Sequence, residues 1–397
     1  MGPMVVSPPR RERVDGQTRV VVDVSDRAPL WYSVPDRFAE LLADRSDHVL
    51  VGVLMPAMKE ARDLHIGGTV TDSLLHQANN DLQRLLRMEH PDLRPIRITA
   101  DIVALPAAHA PGVATAYSGG VDSSAVLVEY FSGEGVPESL RVTHLLNNNV
   151  GAHGPDGYEL WQVRCTPLKR AAAEYGLPFV TVDSNLDAHY PRIGFLESVS
   201  MRNASVAHLL SAGIGHLHVG SEISYVFARV DDSGEIARLD PMLLPLLSTT
   251  AVSISSANSG MTRVQRTVAL IGRPEARYLD VCTDDDPTRV GNCSKCAKCV
   301  RAMLTLEIAG HLQEFCPDVF TYSTYSEHRD AYIARVLSAG DPLECEIRDF
   351  AAAQGWHWRI SDRRRAAVRW VRVEAKRSAR RMLRRFGRHR QESASTR

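Results

Sequence analysis

The stretch that decides the predicted fold is Ser118-Gly119-Gly120-Val121-Asp122-Ser123-Ser124. The apolar residues 113–117 before it are typical of a short strand, and residues 122–131 after it have the apolar periodicity of a helix. The loop therefore lies between a strand and a helix N-terminus, where backbone N–H groups converge. This arrangement predicts an anion-binding site.

Each residue type in the loop suits an anion such as phosphate. Gly119 and Gly120 let the backbone approach the anion without an intervening side chain, and Ser118 and Ser123 add hydroxyl donors. Asp122 can cap the helix or hold a magnesium ion. No lysine follows the glycines, so the stretch is not the Gly-Lys-Ser/Thr loop that reaches the β- and γ-phosphates. A glycine turn with a serine cap is the simpler alternative.

Strands and helices alternate beyond this loop. The predicted strands are residues 113–117, 141–146, 179–182 and 216–219, and the predicted helices are residues 122–131, 157–175 and 200–212. This alternation predicts an α/β fold with a doubly wound parallel sheet, which binds ligands at the carboxyl ends of its strands. Gly220 follows the last of these strands and is a candidate for letting the backbone approach the ligand.

The segments outside this α/β region have different patterns. Residues 1–16 are rich in proline and charge, which predicts disorder. Residues 17–108 are predicted to form a small α+β domain, with strands at 19–24, 48–54 and 96–102 and a helix at 71–88, followed by an alanine- and proline-rich linker at 106–111. We expect the α/β domain at 112–312, a helical extension at 313–362 and a basic amphipathic tail at 363–397.

Four of the seven cysteines lie close together in the sequence. Cys282, Cys293, Cys296 and Cys299 have the spacing C-x10-C-x2-C-x2-C, which places three thiolates on one side of a tight loop and lets Cys282 supply a fourth ligand. This pattern predicts a closed, structural zinc site at 282–299. An iron–sulfur cluster, whose ligands are also thiolates, and a set of redox thiols are the alternatives.

The loop resembles the signature of the PP-loop family, the N-type ATP pyrophosphatases, which is Ser-Gly-Gly-x-Asp-Ser. The resemblance implies a Rossmann-like HUP fold in which the loop binds the pyrophosphate end of ATP with Mg²⁺. It also implies that ATP is split into AMP and pyrophosphate to activate a substrate for a nitrogen or sulfur nucleophile. Asp122 and Ser123 become candidate catalytic residues. The candidate nucleotide-binding residues are Ser118, Gly119, Gly120, Val121, Asp122, Ser123 and Ser124.

Together with the cysteine cluster, the loop resembles one branch of that family, the 7-cyano-7-deazaguanine synthases, which make a nitrile from a carboxylate with ATP and ammonia. Residues 201–204 read Met-Arg-Asn-Ala where those enzymes have Gly-Arg-Asn. Arg202, also a candidate catalytic residue, and Asn203 are therefore candidates for binding the nucleotide or the acyl-adenylate, with a surface arginine as the alternative for Arg202. Segments 147–151 and 221–225 depart from the branch where it shapes the base pocket, so a deazaguanine substrate is not supported.

These observations favour an ATP-dependent C–N ligase-like enzyme that adenylates a small-molecule carboxylate or carbonyl for attack by ammonia or an amine. The sequence shows no glutaminase unit, so ammonia would come from solution or from a donor protein. One alternative is ATP-dependent sulfur transfer to RNA or a small molecule, with Cys165 as the candidate persulfide carrier, although a buried structural cysteine is the simpler interpretation. Another alternative is a non-catalytic nucleotide sensor. His216 and His218 alternate in a strand, which is typical of packed residues rather than catalysts.

Composition is that of a soluble cytoplasmic protein. Apolar residues make up 44% and charged residues 24% of the 397 residues, and no stretch approaches the roughly 20 apolar residues that cross a bilayer. The N-terminus lacks the apolar core of a secretory signal.

The formal net charge of zero hides a strongly basic C-terminus. The tail carries an apolar stripe at spacings of three and four residues: Val368, Val371, Ala375, Ala379, Met382 and Phe386. One apolar stripe on a cationic helix is typical of membrane-surface and nucleic-acid-binding helices, and it predicts contact with nucleic acid or an acidic surface. Docking of the stripe on the protein itself is the alternative.

Overall fold

The computed structural model describes residues 2–154, 156–231, 233–283, 286, 290–373 and 375. The chain divides into two compact units, Met1–Gly291 and Asn292–Arg397. The strands are β1 (Met4–Val6), β2 (Arg10–Val14), β3 (Gln17–Val22), β4 (Leu30–Pro35), β5 (Leu64–Thr71), β6 (Ile98–Ala104), β7 (Gly112–Ala116), β8 (His144–Asn149), β9 (Phe179–Ser184), β10 (Ile214–Gly220) and β11 (Ser253–Ala257). The helices are α1 (Asp47–Lys59), α2 (Asp72–Asn79), α3 (Asp81–Glu89), α4 (Val121–Tyr130), α5 (Tyr158–Tyr175), α6 (Val199–Leu209), α7 (Asp240–Leu247), α8 (Arg263–Val268), α9 (Ala297–Ile308), α10 (Tyr322–Ser338) and α11 (Pro342–Ala353).

An eight-stranded sheet in the first unit has the strand order β11-β10-β7-β8-β9-β4-β3-β2. The five strands from β11 to β9 pair in parallel, whereas β4, β3 and β2 extend the sheet as antiparallel strands. Parallel pairing requires crossover connections, which the helices between these strands provide. The predicted α/β fold with a parallel sheet is confirmed.

Helices cover both faces of the parallel strands. In β8, Leu145 packs in a cluster with residues of α4 and α5, and the next residue, Leu146, packs in a cluster with residues of α1, α6 and α7. Successive side chains of a strand point to opposite faces of the sheet. Two consecutive apolar residues in a strand therefore require cover on both sides, as parallel sheets have.

The N-terminal residues do not form the disordered segment and separate domain that the sequence predicted. Within residues 1–16, β1 pairs with β5 and β2 pairs with β3, and Met4 and Val6 are buried. β4 pairs with β9 of the main sheet, while β1, β5 and β6 form a second, parallel sheet. Residues 17–108 belong to the same compact unit as the parallel strands, because β4 satisfies the open backbone groups at the edge of β9.

Residues 48–54, predicted as a strand, lie in helix α1. All residues from 47 to 58 are buried, so the helix is apolar on every side and its sequence shows no 3.6-residue period. Periodicity alone does not assign a short apolar run to a strand or a helix. The predicted helix at 71–88 is two helices, α2 and α3, which meet at Asn80.

The second unit contains α9, α10 and α11, and residues 360–373 are also helical. A helical C-terminal region is confirmed, but the boundary between the units at Gly291 falls inside the predicted 112–312 domain. Among the described residues, none of the helices combines the length and the apolar character that crossing a bilayer demands. Most of the predicted tail lies outside the described residues.

Candidate functional site

The loop at residues 118–124 lies at the carboxyl ends of the parallel strands. β7 is the first of the five parallel strands in chain order, and its neighbours are β8 on one side and β10 on the other. The chain adds β8 and β9 on one side and later β10 and β11 on the other, so the crevice between β7 and β10 is a topological switch point. Ligands of open α/β sheets bind at such a crevice. The loop that follows β7 opens there.

Gly119 adopts a backbone conformation that favours glycine. Its φ is +74°, and a Cβ atom there would lie 2.9 Å from Leu168 Cδ2 and 3.1 Å from the Tyr278 carbonyl oxygen. The N–H group of Asp280 donates to the Gly119 carbonyl oxygen at 2.8 Å. The segment 278–280 therefore packs directly on the backbone of the loop and fixes its turn.

Hydrogen bonds of the loop serines stabilise the turn. Ser118 N–H donates to Ser123 Oγ at 3.3 Å, and Ser123 Oγ donates to the Gly120 carbonyl oxygen at 3.2 Å. Ser124 is fully buried, with its hydroxyl 3.5 Å from the Gly119 carbonyl oxygen. Ser118 is exposed, and its hydroxyl accepts from the Gly120 N–H at 3.3 Å. Ser118 is thus the most accessible of the three loop hydroxyls, whereas Ser123 and Ser124 serve the shape of the loop.

Asp122, in the first turn of α4, forms ion pairs with two arginines of α8. Its Oδ2 lies 2.8 Å from Arg263 Nη2, and its Oδ1 lies 2.9 Å from Arg266 Nη1. The Arg266 side chain is fully buried and the Asp122 side chain is 18% exposed. A capping box between Thr262 and Gln265 fixes the start of α8. Each carboxylate oxygen of Asp122 therefore faces a guanidinium group, with which Mg²⁺ would compete.

Gly220 ends β10 against the first turn of α4. A Cβ atom at Gly220 would lie 2.9 Å from the Asp122 carbonyl carbon and 3.1 Å from the Ser123 backbone nitrogen. The close approach of strand to helix is thus a packing reason for the glycine, and the predicted approach of its backbone to a ligand stays a prediction. The side chain of Val121 is buried at the start of α4. Only the backbone of this residue therefore contributes to the surface of the loop.

Arg202 is fully buried in α6, so the alternative of a surface arginine is wrong. Its Nη1 donates to the Val150 carbonyl oxygen and to Asp187 Oδ1, both at 2.7 Å, and its Nε donates to Ser198 Oγ at 2.8 Å. The guanidinium carbon lies 4.1 Å from the centre of the Tyr190 ring. These contacts compensate for burial of the charge. Nη2 is buried without a hydrogen-bond partner among the described residues and is the group that could bind a ligand.

Asparagines connect the carboxyl end of β8 to its neighbours. Asn148 Nδ2 donates to Asn203 Oδ1 at 3.0 Å, and Asn149 Nδ2 donates to Asp183 Oδ1 at 2.7 Å. Burial raises the pKa of Asp183 despite the bond from Asn149. Asn203 and the neighbouring Arg202 therefore lie beside the end of β8, one strand away from the loop that follows β7.

The four cysteines of the predicted metal site come together. The Sγ atoms of Cys282, Cys293, Cys296 and Cys299 all lie within 4.8 Å of one another, and those of Cys293 and Cys299 are 3.8 Å apart. A tetrahedral site with Zn–S bonds of about 2.3 Å has edges of about 3.8 Å. The Cys296 N–H donates to Cys293 Sγ at 3.2 Å. The group could hold a metal ion such as zinc.

The segment that leads to Cys282 also supports the glycine turn. The N–H group of Cys282 donates to Asp280 Oδ1 at 3.0 Å, and Asp280 in turn binds Gly119 through its own N–H group. Among the described residues, 279–283 around Cys282 form no helix or strand. One residue therefore connects the first cysteine of the cluster to the loop.

Cys165, His216 and His218 are packed residues, as expected. Cys165 is buried in α5, and burial raises the pKa of its thiol to about 11. Burial likewise lowers the pKa of both histidines. His216 Nε2 lies 2.9 Å from Ser255 Oγ, and His218 Nε2 lies 2.9 Å from the Leu140 carbonyl oxygen. A thiol that resists ionisation is a poor nucleophile.

Sequence reasoning did not identify Arg263 and Arg266. The available signal was the stretch Thr262-Arg263-Val264-Gln265-Arg266, in which Thr-x-x-Gln is a capping-box pattern and the arginines are three residues apart on one helix face. Nothing in the sequence indicates that this face meets Asp122, because the contact depends on tertiary packing.

No protein-family model, curated protein or solved structure matches this chain. What the structure shows is an α/β protein with a parallel sheet and a four-cysteine cluster that could hold a metal ion. Its function is therefore inferred from the residues and geometry of the site.

Proposed function

We propose that this protein splits ATP into AMP and pyrophosphate to adenylate a small-molecule carboxylate or carbonyl, which ammonia or an amine then attacks. The observation that carries the proposal is the stretch Ser-Gly-Gly-Val-Asp-Ser at residues 118–123, placed between β7 and α4 at the switch point of a parallel sheet. It matches every fixed position of the signature of the PP-loop ATP pyrophosphatases. The cysteine cluster adds a resemblance to the 7-cyano-7-deazaguanine synthases.

In this proposal the loop binds the leaving pyrophosphate. The first N–H groups of α4 have no partner within the helix and favour an anion. Gly119 forms the positive-φ turn, Gly120 brings the backbone to the anion without a side chain, and the exposed Ser118 hydroxyl adds a donor. An oxygen of the substrate attacks the α-phosphorus, and the bond from the α-phosphorus to the oxygen bridging it to the β-phosphorus breaks. Stabilising the charge that develops on pyrophosphate lowers the barrier to this step.

Asp122 has two roles in the proposal. Bound Mg²⁺ would neutralise phosphate charge, and the Asp122 carboxylate is the acidic group of the loop that could help to hold it. The same carboxylate positions Arg263 and Arg266 beside the loop. Guanidinium groups bind phosphate oxygens in a bidentate manner, so the two arginines add positive charge next to the pyrophosphate site. Ser123 acts through the shape of the loop.

Arg202 and Asn203 are proposed to contact the acyl-adenylate. The buried Nη2 of Arg202 supports this role, because guanidinium groups are the natural partners of carboxylates and phosphates. Segment 147–151 contains the asparagines at the end of β8, which fit a polar acyl group. A substrate other than deazaguanine is therefore proposed, with ammonia coming from solution or from a donor protein.

The cysteine cluster is proposed to hold one structural Zn²⁺. The 3.8 Å separation of two of its sulfur atoms matches the edge of a zinc tetrahedron. A four-iron cluster binds each thiolate to a different iron atom and would hold the thiolates farther apart. A zinc ion with four thiolate ligands has no open position for substrate, so the metal would contribute to folding rather than to chemistry.

The buried thiol of Cys165 argues against the alternative of sulfur transfer. A persulfide carrier needs an accessible thiolate, whereas burial raises the pKa of the Cys165 thiol to about 11. The other alternative, a nucleotide sensor, shares the loop but lacks turnover. Measurement of pyrophosphate release separates it from an enzyme.

A screen of candidate carboxylates for substrate-dependent AMP formation, in the presence of ammonia, tests the proposal. We expect AMP and pyrophosphate in equal amounts only when a suitable carboxylate is added, and full activity in a Cys165→Ser variant. ATP binding without AMP formation across the screen would favour the sensor. Loss of activity in the Cys165→Ser variant, with the fold intact, would favour sulfur transfer.

A further inference from the structure

The helix at 360–373 has an apolar face that is turned to solvent. Asp362 and Ala366 are buried, and their spacing of four residues marks the face that packs on the unit. Val368 and Val371 are 52% and 59% exposed. At 3.6 residues per turn, or about 100° per residue, the two valines lie on the opposite side of the helix from the buried pair.

Two other apolar side chains of this helix are exposed. Ile360, 73% exposed, lies on the same side of the helix as the two valines, and Trp370, 56% exposed, lies about 100° from Val371 around the helix axis. Large apolar residues that cluster on one short helix mark an interaction surface, unlike single exposed residues. The stripe predicted from the sequence begins with Val368 and Val371, so docking of these two residues on the protein itself is wrong. Ala375 is exposed too, and the later members Ala379, Met382 and Phe386 lie outside the described residues.

Arginines surround the exposed apolar residues. A groove of about 600 Å³ beside α10 is lined by Arg364, Arg365, Arg369 and Arg372. Of these four, Arg365 has a carboxylate partner among the described residues, Asp330. The sequence of residues 363–397 contains 14 Lys and Arg against 2 Asp and Glu, an excess of positive charge that is complementary to an anionic partner.

The combination of apolar and cationic side chains fits one anionic partner best. On a lipid bilayer, valine and isoleucine side chains enter the boundary of the acyl chains, tryptophan favours the interface, and arginine reaches the headgroup phosphates. Nucleic acid would also contact the arginines, but it gives no reason for the exposure of Val368 and Val371. The partner that accounts for both features is an anionic membrane surface.

We propose that the helix at 360–373 binds the surface of an anionic lipid bilayer. Val368, Val371 and Ile360 enter the interface, and Arg364 and Arg372, which lie on or beside the same face of the helix, bind headgroup phosphates. The attachment is peripheral, with the helix lying in the plane of the membrane. This inference is independent of the proposed ATP chemistry, because it depends only on residues of the second unit.

Co-sedimentation of the full-length protein with vesicles tests the proposal. One set of vesicles contains phosphatidylglycerol and phosphatidylcholine, and the other contains phosphatidylcholine alone. We expect binding to the anionic vesicles and at least tenfold weaker binding to the neutral ones. A Val368→Ser/Val371→Ser double variant should bind the anionic vesicles at least tenfold more weakly. Val226→Ser, which changes an 82% exposed valine of the first unit, is the matched control and should bind like the wild type.

Several outcomes would overturn the proposal. They are absence of binding to anionic vesicles, equal binding to both vesicle types, and wild-type binding by the double variant. Tighter binding to a single-stranded RNA than to anionic vesicles, unchanged in the double variant, would identify nucleic acid as the partner instead. Circular dichroism of the double variant verifies its fold, and because both valines are exposed we expect no change.

Discussion

Arg266 Nη1 lies 2.9 Å from Asp122 Oδ1, which joins a fully buried cation of α8 to the acidic residue of the glycine-rich loop. Arg263 binds the other oxygen of the same carboxylate at 2.8 Å. A buried charge is tolerated when an opposite charge accompanies it. The loop and α8 therefore depend on each other, and Asp122 contributes to stability as well as to any chemistry.

Replacement of Arg266 by Ala should destabilise the first unit by about 1–3 kcal/mol, because Asp122 loses one of its two guanidinium partners and keeps only Arg263. Chemical denaturation followed by circular dichroism measures the effect. Arg277→Ala is the matched control, since Arg277 pairs with Glu174 at the surface, where an ion pair contributes about 0.2–1 kcal/mol. Equal stability of the two variants would show that the Asp122 ion pairs do not support the fold.

The elements around the loop could be predicted because their signals are local. The glycines, the flanking apolar strand and the helix that starts near Asp122 are all within a short stretch, and the cysteine spacing alone predicts the four-cysteine group that could hold a metal ion. Helix α1 could not be predicted, because it is buried on every side and lacks periodicity. The contacts of Asp122 with Arg263 and Arg266 could not be predicted either, because they depend on tertiary packing.

Composition alone also gave a wrong prediction for the N-terminal residues. Residues 1–16 have the proline and charge of a disordered segment, yet Met4 and Val6 are buried where β1 pairs with β5. A strand of three residues is stabilised by its partner rather than by its own composition. Likewise, Arg202 was identified by resemblance, but its complete burial depends on Asp187, Ser198 and Val150.

The purified protein should contain about one zinc ion per chain. The four Sγ atoms are close enough for one tetrahedral ion, and the binding energy of such an ion becomes folding energy. Elemental analysis of the wild type measures the content. Cys293→Ser should lose the metal and become insoluble or unstable, whereas Cys345→Ser, outside the cluster, should keep both metal and stability. Iron with labile sulfide, or no metal at all, is the contradictory result.

The pH dependence of stability should change when Asp240 is replaced by Asn. Asp240 is buried in α7, and burial raises the pKa of its carboxyl to about 8, although Ser200 donates to it at 2.5 Å. Between pH 4 and 8 the unfolded chain has lost this proton while the folded protein keeps it. The contribution of Asp240 to stability is therefore fully present below pH 4 and falls as the pH rises to about 8.

Thermal unfolding at a series of pH values from 5 to 8.5 measures this contribution. The Tm of the wild type should fall relative to that of Asp240→Asn as the pH rises, because the variant has no proton to lose. Burial lowers the pKa of His48, His189 and His216 to about 4, which affects both proteins equally. A constant difference in Tm across this range would contradict the assignment.

Replacement of Asp122 by Asn should reduce AMP formation by about 100-fold or more, the usual effect of removing a group that stabilises charge in the transition state. Asn keeps the size of the side chain but loses the charge that would bind Mg²⁺ and that holds Arg263 and Arg266. Asp44→Asn, at an exposed surface position, is the matched control for activity. Circular dichroism at the assay temperature confirms that both variants are folded. Wild-type turnover by folded Asp122→Asn would remove Asp122 from the mechanism.

The proposed enzyme should break ATP between the α- and β-phosphates. The wild-type protein is incubated with Mg²⁺, ammonia, an accepted carboxylate and ATP labelled at the α-phosphate, and the labelled product is separated. A loop that binds pyrophosphate and lacks the lysine of the β/γ-binding loop predicts labelled AMP, with one pyrophosphate released for each AMP formed. Labelled ADP with release of inorganic phosphate would contradict the account.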